Sequence, residues 1–190
     1  MVLAHVVRNG VVEGMHYGSA VVVDHEGEVL WWRGDVERTM FPRSANKLMQ
    51  GFAMLRSGLP LQGRLLALAC ASHSGERMHV DGVADILSAA GMAVDALQCP
   101  PDYPLDPVER DTLLAAGLEP ARQYMNCSGK HAAMLFTCAV AGWDSATYLD
   151  PNHPLQQACQ SAITELTGET VAHVGVDGCG APLMSTTLTG

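Results

Sequence analysis

The spacing of apolar positions changes twice along the chain. Ala20–Val23 and Glu28–Trp32 are rich in β-branched and aromatic residues, and Asp24-His25-Glu26-Gly27 between them carries turn residues. This pattern predicts a hairpin, which is marginal alone and is expected to join a larger antiparallel sheet. From Ser44 the period becomes helical: Ala45, Leu48, Met49, Phe52 and Leu55 share a face, and Ser57-Gly58 ends the run. Leu65–Ala71 is nearly all apolar and reads as a buried helix. Residues Arg77–Ala90 read as a helix with Val80, Val83, Ala84 and Leu87 inward and Gly91 as its stop.

Gln98–Pro107 holds four prolines and reads as a loop. Asp106-Pro107-Val108-Glu109 opens a short helix, with Asp106 as N-cap, Pro107 in the first turn and Glu109 completing a capping box; Gly117 closes it. His131–Ala141 reads as a buried helix closed by Gly142, and Pro154–Leu166 as an amphipathic helix closed by Gly168. Val171–Val176 suits a strand, Asp177–Pro182 a tight loop, and Leu183–Gly190 the start of another helix. Strands, then helices, then a strand describe an α+β fold with helices packed on an antiparallel sheet. A single domain over residues 1–190 is expected, with further strands beyond Gly190.

Composition narrows the function classes. Hydrophobic residues make up 48% of the 190 positions and charged residues 16%, enough for a sizeable core. A net charge of -9 without basic runs argues against nucleic-acid and anionic-membrane partners. No apolar run reaches the roughly 20 residues of a membrane span, and Met1–Asn9 has no signal-peptide core, so a cytoplasmic location is expected. Of the six cysteines, Cys70, Cys138 and Cys159 lie in helical apolar patterns and read as small buried hydrophobes. Cys127 and Cys179 lie among glycines and polar residues. His5, His25, His153 and His173 read as surface or turn residues, and His73 and His79, six apart, do not share a helical face.

Four short motifs carry chemistry. In Arg43-Ser44-Ala45-Asn46-Lys47, Ser44 and Lys47 stand three apart on one helical face. A serine hydroxyl becomes a nucleophile when a base takes its proton, and a buried lysine can be that base. The same spacing also suits an N-cap serine with a solvated lysine. Cys70-Ala71-Ser72-His73-Ser74-Gly75-Glu76 follows an apolar run and presents either a second hydroxyl, with His73 orienting substrate, or a simple helix-to-helix turn. Asn126-Cys127-Ser128-Gly129-Lys130-His131 and Asp177-Gly178-Cys179-Gly180-Ala181-Pro182 place thiols in glycine-containing turns, beside a lysine and a histidine. Thiolates favour zinc, although the spacing is not that of a zinc finger.

Taken in order, these motifs and the stretch Arg8-Asn9-Gly10 to Gly18 resemble the asparaginase II family of the rhizobial inducible, thermolabile type, over essentially the whole chain. The resemblance implies a fold similar to serine β-lactamases and glutaminases, a homodimer, and hydrolysis of L-asparagine to L-aspartate and ammonia. It implies Ser44 and Lys47 as a Ser-Lys couple, Ser72 as a second catalytic serine, and Cys127, Lys130 and Cys179 as zinc ligands. Arg43, His131 and Asp177 are implied at the substrate. Family members are longer, and their second catalytic lysine lies in a C-terminal part that this sequence does not contain. The expectation is therefore the N-terminal portion of an asparaginase. The competing readings are an inactive zinc-binding remnant and another Ser-x-x-Lys hydrolase of the β-lactamase kind; the latter lacks its Ser-Asp-Asn and Lys-Thr-Gly partners.

Overall fold

The computed structural model describes residues 1–190. Two hairpins come first: β1 (Val2–Arg8) with β2 (Val11–Tyr17), and β3 (Ala20–Val23) with β4 (Val29–Arg33). Six helices follow: α1 (Lys47–Arg56), α2 (Gly63–Ala69), α3 (Arg77–Ala89), α4 (Pro107–Ala115), α5 (Ser128–Ala141) and α6 (Pro154–Thr167). A third hairpin, β5 (Val174–Val176) with β6 (Pro182–Met184), ends the chain. The α+β class is borne out, and the strands pair as three separate two-stranded antiparallel sheets. No helix is long and apolar enough to cross a membrane.

The core lies among α1, α2, α3 and α5. Met54, Leu68, Val83, Ile86, Leu87, Met134 and Leu135 bury their side chains there together. A smaller cluster, Ala53, Cys159, Ala162, Ile163 and Met184, seats α6 against α1 and β6. All six cysteines are free thiols. Burial pushes Cys138 up to about 11 and Cys159 to about 12, so these two stay protonated and behave as the small hydrophobes expected, while Cys70 is half-buried; Cys99, which carried no such expectation, is buried and pushed up to about 11 as well.

Several expectations need correction. The first hairpin was not foreseen: Asn9 (φ 48°) and Gly10 (φ 80°) form a left-handed two-residue turn between β1 and β2. Leu65–Ala71 is only partly buried, because α2 packs through Leu68 and Ala69 while Ala67 faces out. On α3 the inward face carries Ile86, and Ala84 points to solvent. Asp106 caps α4 by accepting from Val108 and Glu109 N–H, but the capping box is half-made, since the Asp106 N–H donates to the Ser74 carbonyl. Helix α5 starts at Ser128, three residues before His131, because the glycine at 129 lets Leu68 approach; a Cβ there would stand 2.8 Å from the Leu68 carbonyl oxygen.

The end of the chain also differs. Leu183–Gly190 is not a helix: Pro182–Met184 is a buried strand paired with β5, and Thr186 bridges to Met40. This bridge and the Asn46 Nδ2 bond to the Met184 carbonyl (2.9 Å) hold β6 against the segment before α1. His153 lies in a turn, as read, but it is buried there, because its Nδ1 accepts from Leu155 N–H and caps α6. His73 and His79 do meet, stacked at 5.3 Å, because His73 precedes α3 and does not need a shared helical face.

Candidate active site

Ser44 lies in a single tight helical turn, Arg43–Asn46, immediately before α1. Arg43 enters that turn with φ 54°, one of only two non-glycine residues with positive φ. A long side chain held in the left-handed region costs of order 1 kcal/mol and marks a site that the surroundings over-determine. The turn presents Ser44 to solvent, while Lys47, one turn on, points inward and is 2% exposed.

Ser72 follows α2 and faces Ser44, with the two hydroxyl oxygens 2.8 Å apart. Lys47 Nζ stands 2.8 Å from Ser72 Oγ and donates to the Ala71 carbonyl at 2.6 Å. The three predicted side chains therefore come together, but in a particular order. Ser44 and Lys47 are joined through Ser72 and not by a direct hydrogen bond. Burial lowers the Lys47 pKa, against the opposing pull of Cys127, which favours the neutral amine a base requires.

Cys127 and Cys179 also come together, from the start of α5 and the β5–β6 turn. Lys130 Nζ lies 3.3 Å from Cys179 Sγ. Interaction with Cys179 raises the Cys127 thiol, with burial adding to it, and interaction with Cys127 lowers Cys179. His131 is fully buried. Tyr148 Oη accepts from Gln98 N–H at 3.1 Å and lies 2.7 Å from His131 Nδ1. His131 Nδ1 is the only acceptor the Tyr148 hydroxyl proton has, so Tyr148 donates to Nδ1 and the ring proton sits on Nε2. That Nε2 makes no bond of good geometry, and the Cys179 sulfur is the acceptor within its reach. Asp177 accepts from Arg43 at 2.9 Å, tying the β5–β6 turn to the turn that carries Ser44.

Two thiols and a lysine amine, beside an under-bonded buried imidazole, form a donor set that fits zinc chemically. No group of three His, Cys, Asp or Glu side chains has metal-binding spacing, so a third protein donor would have to be the neutral amine of Lys130. Of the remaining candidates, His73 is not placed to orient substrate: it is 3% exposed and its Nε2 lies 2.9 Å from Ser128 Oγ.

Sequence reasoning passed over Tyr148. It belongs to no motif, and only its long-range contact with His131 reveals it. The Ala71 carbonyl was likewise invisible, because a main-chain acceptor carries no sequence signal.

No curated protein matches the chain. The profile of the L-asparaginase II family matches residues 4–190, which include every residue of both clusters. With a buried lysine on a serine pair and a thiol-lined cluster beside them, this chain belongs to the L-asparaginase II family.

Proposed function

We propose that the site hydrolyses the side-chain amide of L-asparagine by acyl transfer to Ser44. The observation that carries this reading is the continuous run Ser44 Oγ–Ser72 Oγ–Lys47 Nζ, with both links at 2.8 Å. Ser44 attacks the amide carbon while its proton passes to Ser72, whose own proton passes to the neutral Lys47 amine. The Ser44 N–H has no main-chain acceptor, and it stabilises the oxyanion. The relay then runs backwards: Lys47 returns a proton through Ser72 to the leaving nitrogen, the C–N bond breaks and ammonia departs. Water, deprotonated by the same relay, attacks the ester carbonyl and releases L-aspartate from Ser44.

Arg43, whose side chain is 63% exposed, receives the α-carboxylate of the substrate, and Asp177 receives its α-ammonium. His131 acts through Cys179, because its full burial keeps it from substrate. Cys127, Lys130 and Cys179 would hold zinc, which when bound would supply positive charge beside the substrate. A cytoplasmic homodimer completes the reading.

A second reading is a non-catalytic zinc-binding protein. As an interaction module it would present the apolar surface of the N-terminal hairpins, where Trp31, Trp32, Val7 and Val11 lie exposed. Ammonia release from L-asparagine separates the two. Wild-type turnover that Ser44→Ala or Lys47→Met lowers by at least about a thousandfold supports the relay. Turnover untouched by Ser44→Ala removes Ser44 from the mechanism. No turnover, with zinc bound and lost in Cys179→Ala, favours the non-catalytic reading.

A further inference from the structure

His73 lies next to Ser72 in sequence, yet no step of the reaction uses it. Its ring is 3% exposed, sandwiched between His79 and the start of α5. Its partner, Ser128 Oγ, donates its proton to the Gln123 carbonyl at 2.9 Å. A hydroxyl has one proton, so toward His73 Nε2, 2.9 Å away, Ser128 is an acceptor. The proton of His73 therefore resides on Nε2, and Nδ1 is a bare lone pair, buried with no partner. The main chain makes a second link, with His73 N–H donating to the Asn126 carbonyl at 3.0 Å. Both bonds run from the segment bearing Ser72 to the segment that opens α5.

We infer that His73 is a positioning residue: as the neutral Nε2–H tautomer it clamps the Ser72 segment to the start of α5 and so fixes Ser72 Oγ between Ser44 and Lys47. Ser72 itself is on the surface, just after a seven-residue helix, and its only side-chain hydrogen bonds are those of the relay. Without the clamp, the relay depends on a loose turn. The neighbouring Gly75 strengthens the need for a fixed path: it has φ 83°, and a Cβ there would stand 2.8 Å from Pro104 Cα, so the chain beyond His73 leaves by one narrow route.

The inference rests on the proposed relay, and its test separates the two. Glutamine places an amide N–H where the histidine Nε2–H stands, whereas asparagine places one near Nδ1 and cannot reach Ser128. In the full chain, His73→Asn is expected to lower kcat about a hundredfold, the cost of misplacing a reacting group by about 1 Å, with KM within about twofold. His73→Gln restores kcat to within about tenfold of wild type, because it keeps the single bond to Ser128. Two readouts need no turnover. The 15N shifts of the His73 ring report the Nε2–H tautomer in wild type. Amide exchange at residues 71–74 quickens in His73→Asn and not in His73→Gln, while α6 is unchanged.

An Nδ1–H tautomer, or exchange at 71–74 that His73→Asn leaves unaltered, overturns the clamp whether or not the chain turns over. A His73→Asn variant with wild-type kcat also overturns it. Full activity in Ser44→Ala would instead sink the relay, leaving the tautomer and exchange results to stand.

Discussion

Residues 1–34 and the helical body that follows carry similar proportions of apolar side chain and use them to different ends. In β1–β4, Val6, Val7, Val11, Val12, Trp31 and Trp32 are all exposed, on both faces of their strands. No hydrogen bond joins either hairpin to any helix; Ser19 Oγ reaches only the Asp35 carbonyl, and Gly18 and Arg33 reach only Met1. In the body, Met54, Ile86, Met134 and Leu135 are at most 1% exposed. The difference is one of layers. A helix in the body has neighbours on its apolar side, whereas each hairpin supplies one sheet with nothing stacked on it. Both clusters of the active site belong to the body, so the chemistry stands on the part that is packed.

The sharpest way to break this contrast is to truncate one side chain in each region. Leu135→Ala is expected to cost about 2–5 kcal/mol of stability, through lost burial and a cavity. Val11→Thr, 68% exposed in wild type, is expected to cost under about 0.5 kcal/mol. Denaturant unfolding of both checks this, and equal costs would mean the hairpins are part of the cooperative core. Native-state hydrogen exchange sharpens the same contrast. The β1–β4 amides should open with a free energy at least about 2 kcal/mol below that of α5 amides, as expected where few apolar contacts cover the backbone. Uniform protection would contradict it.

A smaller effect comes from pH. Burial, with the neighbouring His79 adding to it, pushes His73 down from 6.5 to about 4. The unfolded chain therefore takes up this proton at a higher pH than the folded one. Stability from this group is full above about 6.5 and is lost as pH falls from there through about 4, on the order of 3 kcal/mol in all. His73→Gln should flatten that part of the stability–pH curve; an unchanged curve would mean that His73 titrates alike in the folded and unfolded chain. The smallest effect is at a cap. Asp106→Ala should cost about 1 kcal/mol, because two helical N–H groups lose their acceptor.

Local chemistry was legible where a short segment decides the outcome. Asp106 with Pro107, and the left-handed Gly142 and Gly168, mark helix ends that the structure keeps. The Asn9-Gly10 turn carried an equally local signal, but it was masked because both faces of the flanking strands are apolar and show no clean alternation. Pro182–Met184 was misread because a short apolar run has no period of its own; pairing with β5 and the Met40–Thr186 bridge make it a strand. In the site, motif order pointed to Ser44, Lys47 and Ser72. That Lys47 meets Ser72 depends on how α1 sits against the end of α2, which no spacing within one motif encodes. The tautomers of His73 and His131 depend on hydroxyl partners 55 and 17 residues away.

The most direct test of the relay is to acid-quench the enzyme during turnover of L-asparagine and map the acylated residue by peptide mass spectrometry. The account predicts an aspartyl ester on Ser44 that is absent in Lys47→Met. An adduct on Ser72, or ammonia release with no adduct on either serine while hydroxylamine captures no acyl group, would contradict it.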